Sequence, residues 1–157
     1  MLLYLIHWIH QFSFKVDTKL GIIHSLSIHP DAAKDLRELM AVDRLAAGKV
    51  LAMLEQGQRD INVLNSLLEQ NFGAGRTEAY HVSKWWELWR AGYNLWRLKI
   101  WTFPRGSLAY RIVYAYDPDT LEYCVLAIVH RDFDYQIHHA VTQRILQAYE
   151  ILGIARY

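Results

Sequence analysis

The spacing of apolar and polar positions changes along the chain and predicts different elements in its two halves. Residues 23–29 alternate, with apolar side chains on one face and two serines on the other, which is typical of a short strand. Pro30 and Asp31 follow directly. Proline suits the first helical position, and an aspartate suits the positive end of a helix dipole. A helix is therefore expected to begin at Pro30.

Helical spacing then continues through three segments. Apolar residues recur every three or four positions up to Asp43 and again up to Gly57, which predicts a helical hairpin that breaks near Asp43. A third apolar pattern runs from Ile61 to Leu68 and predicts another helix, which ends before the glycine-containing loop at residues 73–75. The first half of the chain is thus expected to be mainly helical.

The second half contains three segments rich in β-branched and aromatic residues: LWRLKIW, LAYRIVYAY and EYCVLAIVH. They are separated by PRGS and DPDT, which have the residues of tight turns, so the simplest connection is an antiparallel meander over residues 95–131. Residues 137–152 return to helical spacing. The predicted fold class is α+β: an N-terminal strand and a helical hairpin packed on an antiparallel β-meander, with a C-terminal helix.

The chain opens with an apolar run, MLLYLIHWIH, that the histidines His7 and His10 interrupt. It is too short to span a bilayer, and it has neither the basic start nor the cleavage site of a signal peptide. An added strand, a partner-binding segment and sequence upstream of the true start all stay open as interpretations. We expect residues 1–22 to be an extension of uncertain role and residues 23–157 to be a single domain.

Composition limits the classes of function. The 17 Lys and Arg against 16 Asp and Glu give a net charge of +1, so any argument for nucleic-acid binding must come from local charge patterning. Cys124 is the only cysteine, which excludes an internal disulfide and leaves no basis for a cysteine metal site. A reducing cytoplasm is the expected location.

Charge is most polarised between Arg90 and Tyr116, where five basic residues occur without an acidic one: Arg90, Arg97, Lys99, Arg105 and Arg111. Alternation along a strand places Arg97 and Lys99 on one face and the apolar residues between them on the other. Turn geometry could bring Arg111 beside them. Like charges placed opposite one another destabilise a sheet, so such a cluster indicates that an anion binds there and compensates the charge. RNA phosphate is the predicted ligand. The alternative is a solvated face of unrelated charges.

The segment HRDFDYQIHH follows the third predicted strand and supplies possible acids and bases: His130, Arg131, Tyr135, His138 and His139. His138 and His139 are adjacent and would point in different directions on a helix, so no metal site is predicted. Histidines at the surface or at a helix start are the alternative interpretation, and the two aspartates nearby are expected to cap or pair. In KWWELW, Trp85 and Trp89 have helical spacing, which favours burial or partner contact over base stacking.

Together these residues resemble the RelE/ParE superfamily of small bacterial toxins, over the chain from Ser27 to its C-terminus. The resemblance rests on HPDAAKDLREL, LWRLKI, LAYRIVYAY, VLAIVHRDFDY and QRILQAYEILG in that order. Its most specific part is a strand with alternating basic residues, followed by AYRIVY and an HR-x-x-x-Y end, which looks like the pattern of the RelE-type ribonucleases. The chain departs from a minimal toxin of this family by its apolar leader and by an expected helical insertion near residues 60–87.

The resemblance implies a toxin of a toxin-antitoxin pair: an endoribonuclease (mRNA interferase) that cleaves mRNA at the ribosome without metal or cofactor and is silenced by a cognate antitoxin. A ribose 2′-hydroxyl would attack the adjacent phosphate, with Tyr135 as base and Arg131 assisting the leaving oxygen. The implied catalytic residues are Arg97, Lys99, Arg111, Arg131, Tyr135 and His130, and the implied RNA-binding residues are Arg90, Arg105 and His138.

Two other functions stay open within the same superfamily. One is a ParE-like inhibitor that binds DNA gyrase and catalyses nothing, and the other is a binding module that kept the fold and lost the reaction. The ribonuclease is favoured because an inhibitor has no need for acid–base groups beside a cationic face. Neither a membrane nor a metal ion is an expected partner.

Overall fold

The computed structural model describes residues 14–17 and 23–157, in which helices flank both faces of one sheet. The strands are β1 (Phe14–Asp17), β2 (Ile23–Ile28), β3 (Tyr80–Lys84), β4 (Leu95–Trp101), β5 (Ser107–Asp117) and β6 (Glu122–His130). The helices are α1 (Pro30–Val42), α2 (Arg44–Arg59), α3 (Ile61–Ser66), α4 (Trp86–Arg90) and α5 (Ala140–Ile151). The predicted α+β class is confirmed.

The strand order in the sheet is β1-β2-β6-β5-β4-β3. The predicted meander is confirmed, since β4, β5 and β6 pair antiparallel in sequence. Strand β2 pairs parallel with β6, so the sheet is mixed. Strand β1 pairs antiparallel with β2 and forms one edge, which places part of the N-terminal extension in the sheet. The apolar run at residues 1–10 lies outside the described residues.

The helical hairpin begins and breaks where the sequence predicts it. His29 caps α1 by accepting a hydrogen bond at Nδ1 from the backbone N–H of Asp31 (3.2 Å), and Pro30 occupies the first helical position. Asp43 ends α1, and its carboxylate accepts a hydrogen bond from the N–H of Ala46 (2.9 Å) to start α2. One aspartate therefore satisfies the open end of the second helix while its extended backbone breaks the first.

The inner face of the sheet packs on α1, α2 and α3. Alternate residues of the meander point into this core, which includes Leu98, Ile112 and Tyr114. The Tyr114 hydroxyl is fully buried and donates a hydrogen bond to the carbonyl of Leu67 (2.7 Å), which satisfies a polar group that would otherwise be costly to bury.

Among the described elements, helices cover the outer face only at one end. There α5, through Ile145 and Tyr149, packs with Trp85 against the sheet and forms a second core. Trp85 is buried, and Trp89 is half-buried and packs edge-on against Trp96, so the burial prediction for the tryptophan-rich segment is confirmed. The other end of the outer face carries charged side chains.

The prediction of a helical insertion over residues 60–87 is wrong for most of its length. Helix α3 ends at Ser66, turns follow, and residues 80–84 form the edge strand β3, which pairs antiparallel with β4. Tyr80 and Val82 are buried, whereas His81 and Ser83 between them are partly exposed. The segment is a half-buried strand whose period of two is too short to stand out beside the flanking helical patterns.

An ion pair joins three elements at the opposite edge of the meander. The Asp35 carboxylate on α1 accepts two hydrogen bonds from the Arg144 guanidinium on α5, at 2.9 and 2.7 Å. Its Oδ2 also accepts the backbone N–H of Ile128 on β6 (3.0 Å). Asp35 thus ties the two layers of helices to the sheet between them.

In residues 14–17 and 23–157, no helix has the length and apolar character that a membrane span requires.

Candidate functional site

Three basic side chains form a row across the uncovered end of the outer face. His81 on β3 is the register partner of Lys99 on β4, and Lys99 is the register partner of Arg111 on β5. Side chains directly opposite each other in antiparallel strands are close neighbours. The prediction that Arg111 lies beside Lys99 is confirmed by this register. We call His81, Lys99 and Arg111 the cationic row.

Arg97 lies next to the row, two residues before Lys99 on the same face of β4. Its Nη2 donates a hydrogen bond to the carbonyl of Lys84 (3.2 Å), and its guanidinium sits 4.9 Å from the ring centroid of Tyr135. Tyr135, in the loop after β6, therefore lies beside Arg97 on this face of the sheet. We call the row together with Arg97 and Tyr135 the basic face.

The charge of the basic face has no acidic counterpart. Burial lowers the pKa of Lys99, and Arg111, Arg76 and Arg97 lower it further. Burial also lowers the pKa of Arg111. Among the ion pairs within the described ranges, none joins a carboxylate to Arg97, Lys99 or Arg111. Desolvated like charges of this kind disfavour the empty site and favour an incoming anion.

Arg111 is held in place by its own strand. Nη1 donates to the carbonyls of Leu108 (2.6 Å) and Tyr110 (3.0 Å), and Nη2 donates to the hydroxyl of Ser107 (3.3 Å). These acceptors are neutral, so they fix the guanidinium without cancelling its charge. A phosphate would meet a cation that is already oriented.

Tyr135 is positioned by aromatic packing. It adopts a left-handed backbone conformation (φ 56°), and its ring stands perpendicular to that of Trp85 (4.9 Å between centroids) and packs edge-on against Phe133 (4.6 Å). Burial raises the pKa of Tyr135, although Arg97 and Arg111 act in the opposite direction. Desolvation is the larger cause, so the two arginines do not offset it. Tyr135 is a protonated hydroxyl near neutral pH.

His130, the last residue of β6, and Arg131, which follows it, lie on opposite sides of the sheet. The backbone N–H of Arg131 donates to the carbonyl of Ala109 (2.6 Å), which continues the alternation and puts Arg131 on the outer face beyond Arg111. His130 pairs with Tyr110 and packs edge-on against its ring (5.3 Å) on the inner side. The prediction that His130 joins the catalytic cluster is wrong, because alternation turns its side chain away from the basic face.

The expected RNA-binding residues are spread over the surface. Arg90 ends α4, Arg105 lies in the β4–β5 turn, and His138 precedes α5; all three are exposed. The described contacts link none of them to the basic face. His139 caps α5 by accepting the N–H of Val141 at Nδ1 (3.1 Å), so the interpretation as a helix-start histidine is confirmed for this residue.

His81 is the member of the site that the sequence patterns did not indicate. Its ring stacks on Trp101 (6.0 Å between centroids, 11° between planes), and its Nε2 is buried without a hydrogen-bond partner within the described part of the chain. Burial lowers the pKa of His81, as do Lys99, Arg97 and Arg111. The imidazole is neutral near pH 7. Alternation in YHVSK is the one signal for it in the sequence, and the predicted helix over residues 60–87 conceals that signal.

The described side chains offer no cluster of metal-binding donor groups. Across residues 14–17 and 23–157, no three His, Cys, Asp or Glu side chains come close enough to hold a metal ion. The single thiol, Cys124, is buried in the second core, and burial raises its pKa to about 11. A thiol in this environment is a packing group rather than a nucleophile.

Comparisons with known proteins assign no family. No family model, no curated protein and no solved structure matches this chain. The resemblance to the RelE/ParE superfamily therefore stays a prediction from the residues quoted above, and function must be argued from the basic face.

Proposed function

We propose that the chain is the toxin of a toxin-antitoxin pair and cleaves mRNA at the ribosome as a metal-independent endoribonuclease. The observation that carries this proposal is the pair of uncompensated cations Lys99 and Arg111 beside the protonated Tyr135 and the neutral His81, on a part of the sheet that none of the described helices covers. Cations suit a phosphodiester, and the two titratable groups suit the proton transfers of its cleavage.

Lys99 and Arg111 bind the scissile phosphate in this proposal. Their charges are partly desolvated and have no carboxylate partner, so a phosphate removes the repulsion between them when it binds. As the 2′-oxygen attacks phosphorus, negative charge grows on the non-bridging oxygens. The guanidinium of Arg111 is already fixed by its own strand and needs no reorganisation to stabilise that charge.

The proton transfers are assigned from the protonation states. Neutral His81 accepts the proton of the 2′-hydroxyl as the 2′-oxygen bonds to phosphorus. The bond from phosphorus to the 5′-oxygen breaks, Tyr135 donates its proton to that oxygen, and the products are a 2′,3′-cyclic phosphate and a 5′-hydroxyl. The raised pKa of Tyr135 suits it to this role of acid, since an alkoxide leaving group is far more basic. Arg97, which stacks on Tyr135, positions the acid.

The order of elements supports the proposed relation to RelE-like toxins. A strand, a helical hairpin, a meander and a C-terminal helix follow one another as the resemblance implies. The cognate antitoxin is proposed to cover the basic face with an acidic or amphipathic segment, because such a segment neutralises the row and excludes RNA.

The proposal is tested by primer extension on a reporter message in a translating extract. Wild-type protein is expected to produce cuts, whereas Arg111→Ala and Tyr135→Phe are expected to leave the message largely intact. Arg37→Ala, which removes an exposed arginine from α1, is the matched control and should cut as wild type does.

Intact message with folded wild-type protein would contradict the ribonuclease. Inhibition of DNA supercoiling by the same sample would then support a ParE-like gyrase inhibitor. Normal growth of cells that express the chain without an antitoxin would support an inactive binding module.

A further inference from the structure

An aromatic and cationic edge adjoins the cationic row where β4 turns into β5. The Arg76 guanidinium lies 4.6 Å from the ring centroid of Trp101 and 5.7 Å from that of Phe103. On the side of the row, the Lys99 ammonium lies 4.2 Å from the Trp101 ring. Trp101 and Arg76 therefore connect Phe103 to the phosphate-binding end of the basic face.

This edge is held rigidly by hydrogen bonds to the backbone. Arg76 donates from Nη1 to the carbonyl of Gly106 (2.8 Å) and from Nη2 to that of Thr102 (2.7 Å), so it clamps both ends of the turn. Trp101 donates from Nε1 to the carbonyl of Gly73 (2.8 Å). Gly106 has φ +89°, a backbone conformation that glycine adopts more readily than other residues. The sequence therefore favours the conformation of this turn.

Phe103 is the exception within this fixed arrangement, because 69% of its surface is exposed. Its backbone lies in the turn that Arg76 clamps, and its ring is open to solvent beside the Arg76 guanidinium. Rings of this kind beside a cationic groove are the platforms on which single-stranded nucleic acids stack their bases. A duplex cannot use such a platform, since its bases are already stacked on each other.

We propose that Phe103, supported by Arg76 and Trp101, is a stacking subsite for an unpaired nucleobase that flanks the phosphate held by Lys99 and Arg111. This inference rests on the proposed function and deepens it, since it defines the substrate as single-stranded RNA with an accessible base beside the cleaved bond. Tyr135 packs against Arg97, which precedes Lys99 on β4, and Trp101 follows Lys99 on the same strand, so the proposed RNA strand runs along β4 toward the turn.

A nucleobase fits this edge better than an apolar protein segment does. Phe103 is a single exposed ring in cation–π contact with Arg76, and Lys99 lies on the other side of Trp101. An apolar partner would have to bury that guanidinium beside Lys99 without a counter-charge, whereas an oligonucleotide brings its own phosphates.

The subsite is tested by fluorescence anisotropy with two short labelled oligonucleotides: oligodeoxyuridylate, which lacks the attacking 2′-hydroxyl, and an abasic strand with the same number of phosphates. Wild type is expected to bind the base-containing strand about fivefold to a hundredfold more tightly than the abasic one. Phe103→Leu should lose that preference, and Phe103→Tyr should keep it. Trp86→Ala, which removes another exposed aromatic, is the matched control and should also keep it.

Equal affinity of wild type for the two strands would overturn the subsite, and so would a base preference that survives Phe103→Leu. Arg111→Ala should weaken both strands alike, because it removes a phosphate contact and leaves the platform intact. Since neither probe can be cleaved by 2′-hydroxyl attack, the base preference is measured independently of the reaction. Cleavage without base preference would sink the subsite alone, and base preference without cleavage would sink the ribonuclease alone.

Discussion

Two half-buried arginines, Arg111 on the sheet and Arg144 on α5, have opposite surroundings. Arg144 makes a bidentate ion pair with Asp35, and the hydrogen bonds of that carboxylate raise the pKa of Arg144. Arg111 is bonded only to neutral oxygens, and burial, Arg131 and Arg97 lower its pKa. Asp35 neutralises Arg144 within the fold, whereas Arg111 has no anionic partner among the described residues. A buried charge that the chain itself does not neutralise indicates where a charged ligand binds.

The largest expected effect comes from Arg111→Ala. Cleavage should fall about a hundredfold to a thousandfold, as happens when a preoriented donor to a developing oxyanion is removed. The free energy of unfolding should change by less than about 1 kcal/mol, because the lost hydrogen bonds are offset by relief of repulsion with Lys99. Initial cleavage rates and urea unfolding measure the two effects. Unfolding that accounts for the lost activity would refute the distinction from Arg144.

Asp35→Ala should have the opposite effect, lowering the stability of the fold rather than the rate of cleavage. Removing the carboxylate leaves Arg144 and the Ile128 N–H without their partner, so the free energy of unfolding should fall by about 2–4 kcal/mol. The side chains are 13% (Asp35) and 30% (Arg144) exposed, which makes this pair much better shielded than the surface pair Lys34–Glu38. Lys34→Ala is the control and should cost less than about 0.5 kcal/mol. Equal losses in the two variants would show that Asp35 has no special role.

Lys99→Met sharpens the same comparison by removing a like charge. The methionine keeps the apolar stem packed on Trp101, so the free energy of unfolding should rise by about 0.5 kcal/mol at low ionic strength. That gain should shrink as salt screens the repulsion in the wild type. Chemical unfolding at two salt concentrations measures it. A destabilised variant would mean that Lys99 already has a stabilising partner.

The smallest expected effect is the pH dependence at His81. Its pKa is lower in the folded chain than in the unfolded one, so the unfolded state binds more protons as the pH falls through about 6.5. His81 therefore costs stability on the acid side, and the cost disappears as the pH rises toward 7. Lys99, Arg97 and Arg111 are the charged groups that cause this. In His81→Gln, the free energy of unfolding should depend less on pH than in the wild type. Between pH 5 and 7 this difference should be less than about 1 kcal/mol.

Most of the fold could be predicted because its signals are local. The helix start at Pro30, the break at Asp43 and the turns around the meander each depend on a few adjacent residues. Strand β3 could not be predicted as readily, because residues 80–84 become a strand by pairing with β4, and five residues of alternation are a weak signal. Missing β3 also removed His81 from the predicted site, since only the register β3-β4-β5 aligns it with Lys99 and Arg111.

The residues of the site could be predicted where the alternation of side chains along a strand determines which face they occupy. Period two separated Arg97 and Lys99 from the packing residues, and the same rule places His130 on the inner face, although it was predicted in the cluster. Protonation states could not be predicted from composition, because the balance at Tyr135 between burial and two arginines depends on how the loop after β6 packs on Trp85. The sequence identifies the cations, and the packing decides which acid and base they adjoin.

The central claim is that the cationic row is a phosphate site that cleaves RNA by 2′-hydroxyl attack without metal. The most direct test is the chemistry of the cut ends, made by purified protein on ribosome-bound message in parallel reactions with and without EDTA at fixed free Mg²⁺. The account predicts 2′,3′-cyclic phosphate and 5′-hydroxyl ends in both reactions, and their loss in Arg111→Ala. Cuts that leave 5′-phosphates, or cuts that persist in Arg111→Ala, would contradict it.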